Sequence, residues 1–451
     1  MSIISKKTTG FILLIGLFLI LALNIILIQP ISFGLILGTM LFLVTLFLHK
    51  PKWGFLMFLF IRPSIDQFSE GLFISIRDNS SINASALLGA LFVFLSLVFL
   101  LKNKIKVFSI PLALPWIIFI SISSLSVIFS IDKATSTYEI VRILSIFSAF
   151  ILAFSIFKKE KSVDIFLQAI LVSAIFPFAE AIYQLLTKSG LGGTFGIESR
   201  LMGTFSHPNS FASFALIIFA ISVYFIIQKK KTQQIWYYSI AFLSLFIILE
   251  TFSRGAWLSL LVFGIIISLF KSPKIILAIA GILLILFLSS ETFRYRVQDV
   301  YNPPATSSVR WRFLQWEKMY DTFVKKPITG YGAGTETIVH ENEFGFYAGN
   351  PYTHNDILKT ALETGVFGAL AYIFIIVFTS IKLFIKHKKS KLLVTKNLAL
   401  VVLALFLAEI TFSMTSNTFR GTATQWILWS LIGLTLYLPL PKYQKIKNIK
   451  K

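Results

Sequence analysis

Cysteine is absent from the 451 residues, so the chain has no disulfide framework, no thiolate nucleophile and no cysteine-based metal site. Charge is scarce as well. Asp, Glu, Lys and Arg make up 14% of the residues, against about 25% in soluble globular domains. Together with 56% hydrophobic residues, this excludes a soluble, disordered or fibrous chain. Carboxylates are rarest, 20 against 42 Lys and Arg. No Asp-x-Asp occurs, and Glu341-x-Glu343 is the only comparable pair in the large outer loop, so no metal site is expected. The run Gly330-Tyr-Gly332-Ala-Gly334 fits neither a dinucleotide nor a P-loop fingerprint and reads as a tight turn.

What the chain has in abundance is long apolar runs. A membrane helix needs about 20 mostly apolar residues. Fourteen candidates run from 11–29 to 425–440, and two of them, 53–65 and 397–412, are marginal. The expectation is an all-α, polytopic membrane helical bundle of 12–14 spans. Lys6 and Lys7 precede the first run as in a signal peptide, but no small-residue cleavage site follows. That run is expected to stay as an anchor.

Cytoplasmic loops carry the Lys/Arg excess. With the N-terminus inside, the inner segments hold 26 lysines and no arginine, and all ten arginines fall outside. So one-sided a charge is a topology signal, and nucleic acid is not an expected partner. It places both termini in the cytoplasm. It also shows where the sequence departs from lysine. Guanidinium is a planar, two-pronged donor that matches phosphate and carboxylate as ammonium does not.

Three organisational units follow: N-terminal spans 1–186, a core 187–385, and C-terminal spans with a basic tail 386–451. Within the core, 291–357 is a large outer loop. Val309, Phe313, Trp316, Tyr320 and Phe323 recur there at intervals of 4, 3, 4 and 3, the apolar face of a helix expected to lie on the membrane as a lid. Further on, Thr353 and Asp356 have the spacing of a capping box, which would put His354 in the first turn of a helix and keep its ring neutral. After His354 and Asn355 come Gly365 and Gly368, one turn apart, as for close approach to another helix. Lys359 and Glu363 form an i, i+4 pair.

His-Asn, nine residues, Gly, two residues, Gly resembles the signature of the O-antigen ligase and polymerase superfamily. Arg200-Leu-Met-Gly-Thr-Phe with Pro208-Asn209, Ser253-Arg254-Gly255, and Arg312 with Trp316, Pro327 and Gly330-Tyr-Gly332 resemble its other motifs. The resemblance covers about residues 195–385. It implies transfer of a glycan from a polyprenyl diphosphate carrier to a hydroxyl of a glycan or glycolipid, outside the cytoplasmic (inner) membrane, without cofactor or metal. On that resemblance His354 is the general base and Arg200, Arg254 and Arg312 clamp the diphosphate. Arg310, Asn355, Gly365, Gly368 and Arg142 support them. Ligase is favoured, and a polysaccharide polymerase of the same chemistry is the alternative. A flippase of lipid-linked glycans is the alternative from another class. It would need mid-membrane charge and broken helices. Neither is expected, since Glu139, Arg142, Glu180, Glu250 and Glu409 all fall near outer span ends.

Overall fold

The computed structural model describes residues 31–67, 73–77, 80–157, 161–192, 199–228, 234–304, 307–345 and 352–438. The first expected span, 11–29, lies outside the described residues. Seventeen helices of nine residues or more occur among those described, with two short hairpins. The first seven helices are α1 (Ile31–His49), α2 (Pro51–Ser64), α3 (Ala84–Lys102), α4 (Ala113–Ser126), α5 (Lys133–Ile156), α6 (Lys161–Ser173) and α7 (Ile175–Thr187). Next come α8 (Pro208–Gln228), α9 (Gln234–Glu250), α10 (Arg254–Phe270), α11 (Lys274–Ser289), α12 (Glu291–Tyr301) and α13 (Ser308–Lys325). The last four are α14 (Glu336–Phe344), α15 (Asp356–Lys389), α16 (Leu393–Ser413) and α17 (Thr422–Tyr437).

Six helical segments among the described residues are long and apolar enough to cross a membrane: α3, α5, Val163–Thr187, α8, α15 and α16. α9, α10 and Ala113–Phe129 are apolar but shorter, as is Leu37–His49 within α1. α11 and α12 would make a further span but are bent by 101° at Ser290. This is a multi-pass membrane protein, built almost entirely of helices.

The membrane-crossing helices are largely apolar all round because a membrane bundle meets apolar surroundings both inside and out. Phe94, Leu97, Leu101, Phe242 and Leu284 point outward with more than half their surface open. α16 and α17 are instead buried along nearly their whole length. α17 runs along α5, and α16 lies among α8, α10 and α15. Gly433 lets α17 approach α5 closely, since a Cβ there would sit 2.3 Å from the Phe150 carbonyl oxygen. The Trp426 indole N–H donates to Ser145 Oγ (2.9 Å) across the same contact. Small residues and polar bridges hold membrane helices together, since lipid tails are as apolar as leucine.

Arg62, Arg200, Arg254 and the N-terminus of α15 gather at one end of the bundle, the arginine end. Lys271, Lys386 and His387 lie at the other. There the Lys386 ammonium donates to the Leu436 and Leu438 carbonyl oxygens at the end of α17.

Two expectations meet the structure at α13 and α15. α13 exists, but its buried face is Gln315, Met319 and Thr322, with Phe313 61%, Tyr320 57% and Val324 53% exposed. Of the apolar stripe expected to lie on the membrane, Phe313 and Tyr320 are exposed, whereas Trp316 is half-buried against Thr353 and Phe323 packs beside Met319 and Leu362. α15 is also not one unbroken helix. Gly365 has φ +72°, a left-handed conformation, near its arginine end. The break frees the Leu362 and Glu363 carbonyls, which accept from Tyr331 N (3.0 Å) and Gly332 N (2.8 Å). In return, Val366 N donates to the Pro327 carbonyl oxygen (2.8 Å). A Cβ at Gly365 would lie 2.1 Å from the Ile328 carbonyl oxygen. The glycine thus admits the 327–332 turn, where close contact with another helix was expected.

Candidate active site

A cavity of about 150 Å³ opens at the arginine end, and Arg200, Arg254, Arg296 and Arg312 all line it with His207 and His354. Each arginine comes from a different element. Arg200 closes a hairpin in which Leu191 faces Arg200 and Gly192 faces Ser199. Its Nε donates to the Thr251 carbonyl oxygen (2.8 Å). The following turn is pinned by Gln184, whose Oε1 accepts from Met202 N and Gly203 N. Gly203 is obligatory there: φ is +54°, and a Cβ would lie 2.7 Å from the Pro177 carbonyl oxygen.

Arg254 is the first residue of α10. Its neighbour Gly255 lets that helix end abut α16, because a Cβ would fall 2.3 Å from Thr415 Oγ1. Arg254 pairs with Asp299 and donates to Ser308 Oγ (2.7 Å). Arg296 reaches the cavity from α12, and its Nε, like Asp299 Oδ1, is buried without a hydrogen-bond partner. Arg312 enters from α13, whose N-cap Ser307 accepts from Val309 N (3.0 Å).

Four guanidinium groups thus share a small space with one carboxylate, Asp299, among the described lining and its ion pairs. Burial, then Arg296, Arg312 and Arg254, push Arg200 down to about 9. Burial, then Arg254 and Arg296, push Arg312 down to about 10. Both remain cationic at neutral pH. The repulsion is what an anion would relieve.

His354 sits on a strained turn. Its φ is +53°, rare for a residue with a Cβ. The turn is clamped at Thr353, whose N–H and hydroxyl both donate to Glu336 Oε1 (2.6 and 2.5 Å). The Trp316 indole N–H donates to the Thr353 carbonyl oxygen (2.6 Å). The N-cap of α15 is Asn355, which accepts from Ile357 N and Leu358 N (3.1 Å each). The capping box expected at Thr353 does not form, because Glu336 takes that hydroxyl. His354 therefore precedes the helix. It is 9% exposed, and its Nδ1 has no hydrogen-bond partner. Burial, then Arg312, His207 and His340, hold it well below the ordinary histidine range. His207 accepts from Asn209 N at Nδ1 (3.0 Å). Burial, then Arg200 and Arg312, push it down to about 4. Both rings are neutral at pH 7.

A second cavity of about 340 Å³ shares His207, Asn209 and His354 with the first. Its further walls come from Arg62, Asp66, Tyr352 and the 416–422 loop. Glu336 ties the His354 turn to that loop, since its carboxylate also accepts from Asn417 Nδ2 (2.8 and 2.7 Å).

The structure brings His354, Arg200, Arg254 and Arg312 together as the sequence suggested. Arg310 is exposed on the far side of α13 and is not in the lining. Arg142 is also outside it, held by Glu139 and the Phe419 carbonyl oxygen. Glu343 pairs with Lys318 (3.4 Å) and Lys325 (3.2 Å). Sequence reasoning missed Arg296 and Glu336. A helical spacing of Phe293, Val297 and Val300 after Ser290 would have pointed to α12, but nothing marked Glu336.

Residues 239–373 match a family model described as O-antigen ligase. The O-antigen ligase stretch contains Arg254, Arg296, Arg312, Glu336 and His354, and it supports the O-antigen ligase/polymerase superfamily for this chain. Arg200 and His207 precede it, and the 416–422 wall follows it. No curated protein matches the chain.

Proposed function

We propose that this chain is a membrane glycan ligase, transferring a polysaccharide from a polyprenyl diphosphate carrier to an acceptor hydroxyl at the arginine end, on the extracytoplasmic face of the cytoplasmic membrane. One observation carries the reading: four arginines with a cationic surplus adjoin a neutral, buried histidine whose Nδ1 is unpartnered. The O-antigen ligase match and the membrane helices support a lipid-linked glycan as substrate.

In this reading Arg200, Arg254, Arg296 and Arg312 hold the diphosphate. The acceptor oxygen attacks the anomeric carbon, and the bond from that carbon to the diphosphate oxygen breaks. The electron pair leaves with the diphosphate, where fixed guanidinium groups stabilise the growing charge. The hydroxyl proton passes to His354, and the anomeric centre inverts. Asn355, Gly365 and Gly368 act indirectly by shaping the turn and the helix that carry His354.

The test is reconstitution into proteoliposomes with a polyprenyl-diphosphate-linked glycan and an acceptor panel, products being resolved by size. The wild type is expected to add one glycan chain per acceptor. His354→Ala should lose about 10²–10⁴ in rate, the usual worth of a general base, while still binding donor. Full activity in His354→Ala would remove the base from the scheme. A product ladder would make the chain a polymerase with the same site.

A further inference from the structure

The two cavities meet only at His207, Asn209 and His354 among their described linings. If the diphosphate occupies the arginine cavity, the hydroxyl that loses its proton to His354 must arrive from the other side. The second cavity is of the size that small-molecule sites usually have, about 300–1,000 Å³. Its wall carries hydroxyl and amide groups, among them Ser206, Ser210, Ser416 and Asn417. Such a wall suits a hydroxyl-rich ligand.

Its charges are unequal in role. Arg62 is spent within the wall, its Nη1 on Asp66 (2.6 Å) and its Nε and Nη2 on Thr422 Oγ1 (3.1 and 2.9 Å). Arg420 is exposed, stacked over the Tyr352 ring at 4.6 Å, and has no carboxylate within ion-pair distance among the described residues. The ring holds the guanidinium plane in place. The turn bearing Arg420 is fixed from below, where Phe419 N donates to Asp356 Oδ2 (2.9 Å) and the Phe419 carbonyl oxygen accepts from Arg142. A preset cation with no ion pair among the described residues thus stands at the mouth of a polar cavity whose inner end is an unpartnered, buried histidine nitrogen. Apart from Tyr352 and His354, this wall lies outside the segment that matches O-antigen ligase.

We infer that the second cavity is the acceptor subsite, and that Arg420 selects an acceptor sugar carrying an anionic group, a carboxylate or a phosphate. This rests on His354 being the base of the transfer proposed above.

Two acceptors of equal length separate the possibilities, one ending in a uronic acid and one in the matching neutral hexose, with the same polyprenyl-diphosphate donor in proteoliposomes. A charge-assisted contact predicts that the wild type prefers the acidic acceptor by about tenfold in kcat/KM. Arg420→Gln should bring that ratio close to one through the acceptor KM, with the donor KM unmoved. Arg420→Lys should restore part of it, and a phosphate-bearing acceptor should behave as the acidic one. Equal use of both acceptors by the wild type would overturn the inference. So would a preference that survives Arg420→Gln, or a change in donor KM. Donor binding without transfer to either acceptor would instead overturn the transferase reading, and this one with it.

Discussion

Arg142 and Arg312 are both drawn back from solvent at the same end of one bundle, yet their surroundings differ. Arg142 donates to both oxygens of Glu139 and to the Phe419 carbonyl oxygen. Glu139 also meets Lys359 (3.3 Å), which meets Glu363 (2.8 Å). Charge in that cluster closes on itself. Arg312 faces Arg254 and Arg296 across a cavity, with no ion pair among the described residues. A buried charge that has its partners is structure. One that lacks them is set against its like-charged neighbours, and charge content alone does not tell the two apart.

The difference can be broken from either side. The largest expected effect is Lys359→Met, which leaves Glu363 without its cation while Glu139 keeps Arg142. Removing one partner from a buried pair costs about 3–5 kcal/mol, so the thermal unfolding midpoint in detergent should fall steeply. An unchanged midpoint would mean that the cluster holds nothing together.

Arg312→Gln should do the reverse. Transfer should drop about 10²–10³, as when a fixed donor to a developing anion is lost. The unfolding midpoint should stay level or rise, because like-charge repulsion is relieved. A destabilisation as large as that of Lys359→Met would erase the distinction between the two clusters.

The smallest effect is a dependence on pH. His207 and His354 are held low by burial and by the arginines. Below the ordinary histidine value of about 6.5, the unfolded chain takes up protons that the folded site refuses. Stability should therefore decline as pH falls through about 6.5 and level off only near the folded values. Unfolding midpoints across that range should show a shallower decline in Arg312→Gln, where one cation is gone. A decline of equal slope would show that the arginines do not set the histidines.

The arginine cavity was half legible in the sequence, for a physical reason that Arg294 and Arg296 illustrate. They differ by two positions on α12. Arg294 donates back to the Leu288 carbonyl oxygen (2.8 Å), whereas Arg296 enters the cavity. Arg310 and Arg312 repeat the contrast on α13. Which member of such a pair turns inward depends on how the helix sits against its neighbours, and spacing carries that information only when the packed face is known. On α13 the stripe expected to face the membrane divides, with Phe313 and Tyr320 exposed while Trp316 and Phe323 are half-buried against the protein, a split that spacing alone does not carry. Glu336 was invisible for a different reason. Its partners, Thr353 and Asn417, lie 17 and 81 residues away in the chain. The helical bundle itself was legible, since long apolar runs leave the backbone little choice but to bond within helices.

The break at Gly365 divides α15 into a short upper piece and a long lower one, and the 327–332 turn is bonded across the division on both sides. The first turns of α15, which follow directly on His354, are therefore fastened to a loop as well as to the shaft beneath them. Bilayers change in thickness, and helices lean to follow. Because the loop is bonded to Val366 below the break as well as to Leu362 and Glu363 above it, a leaning shaft would pull on the loop and on the turn that carries His354.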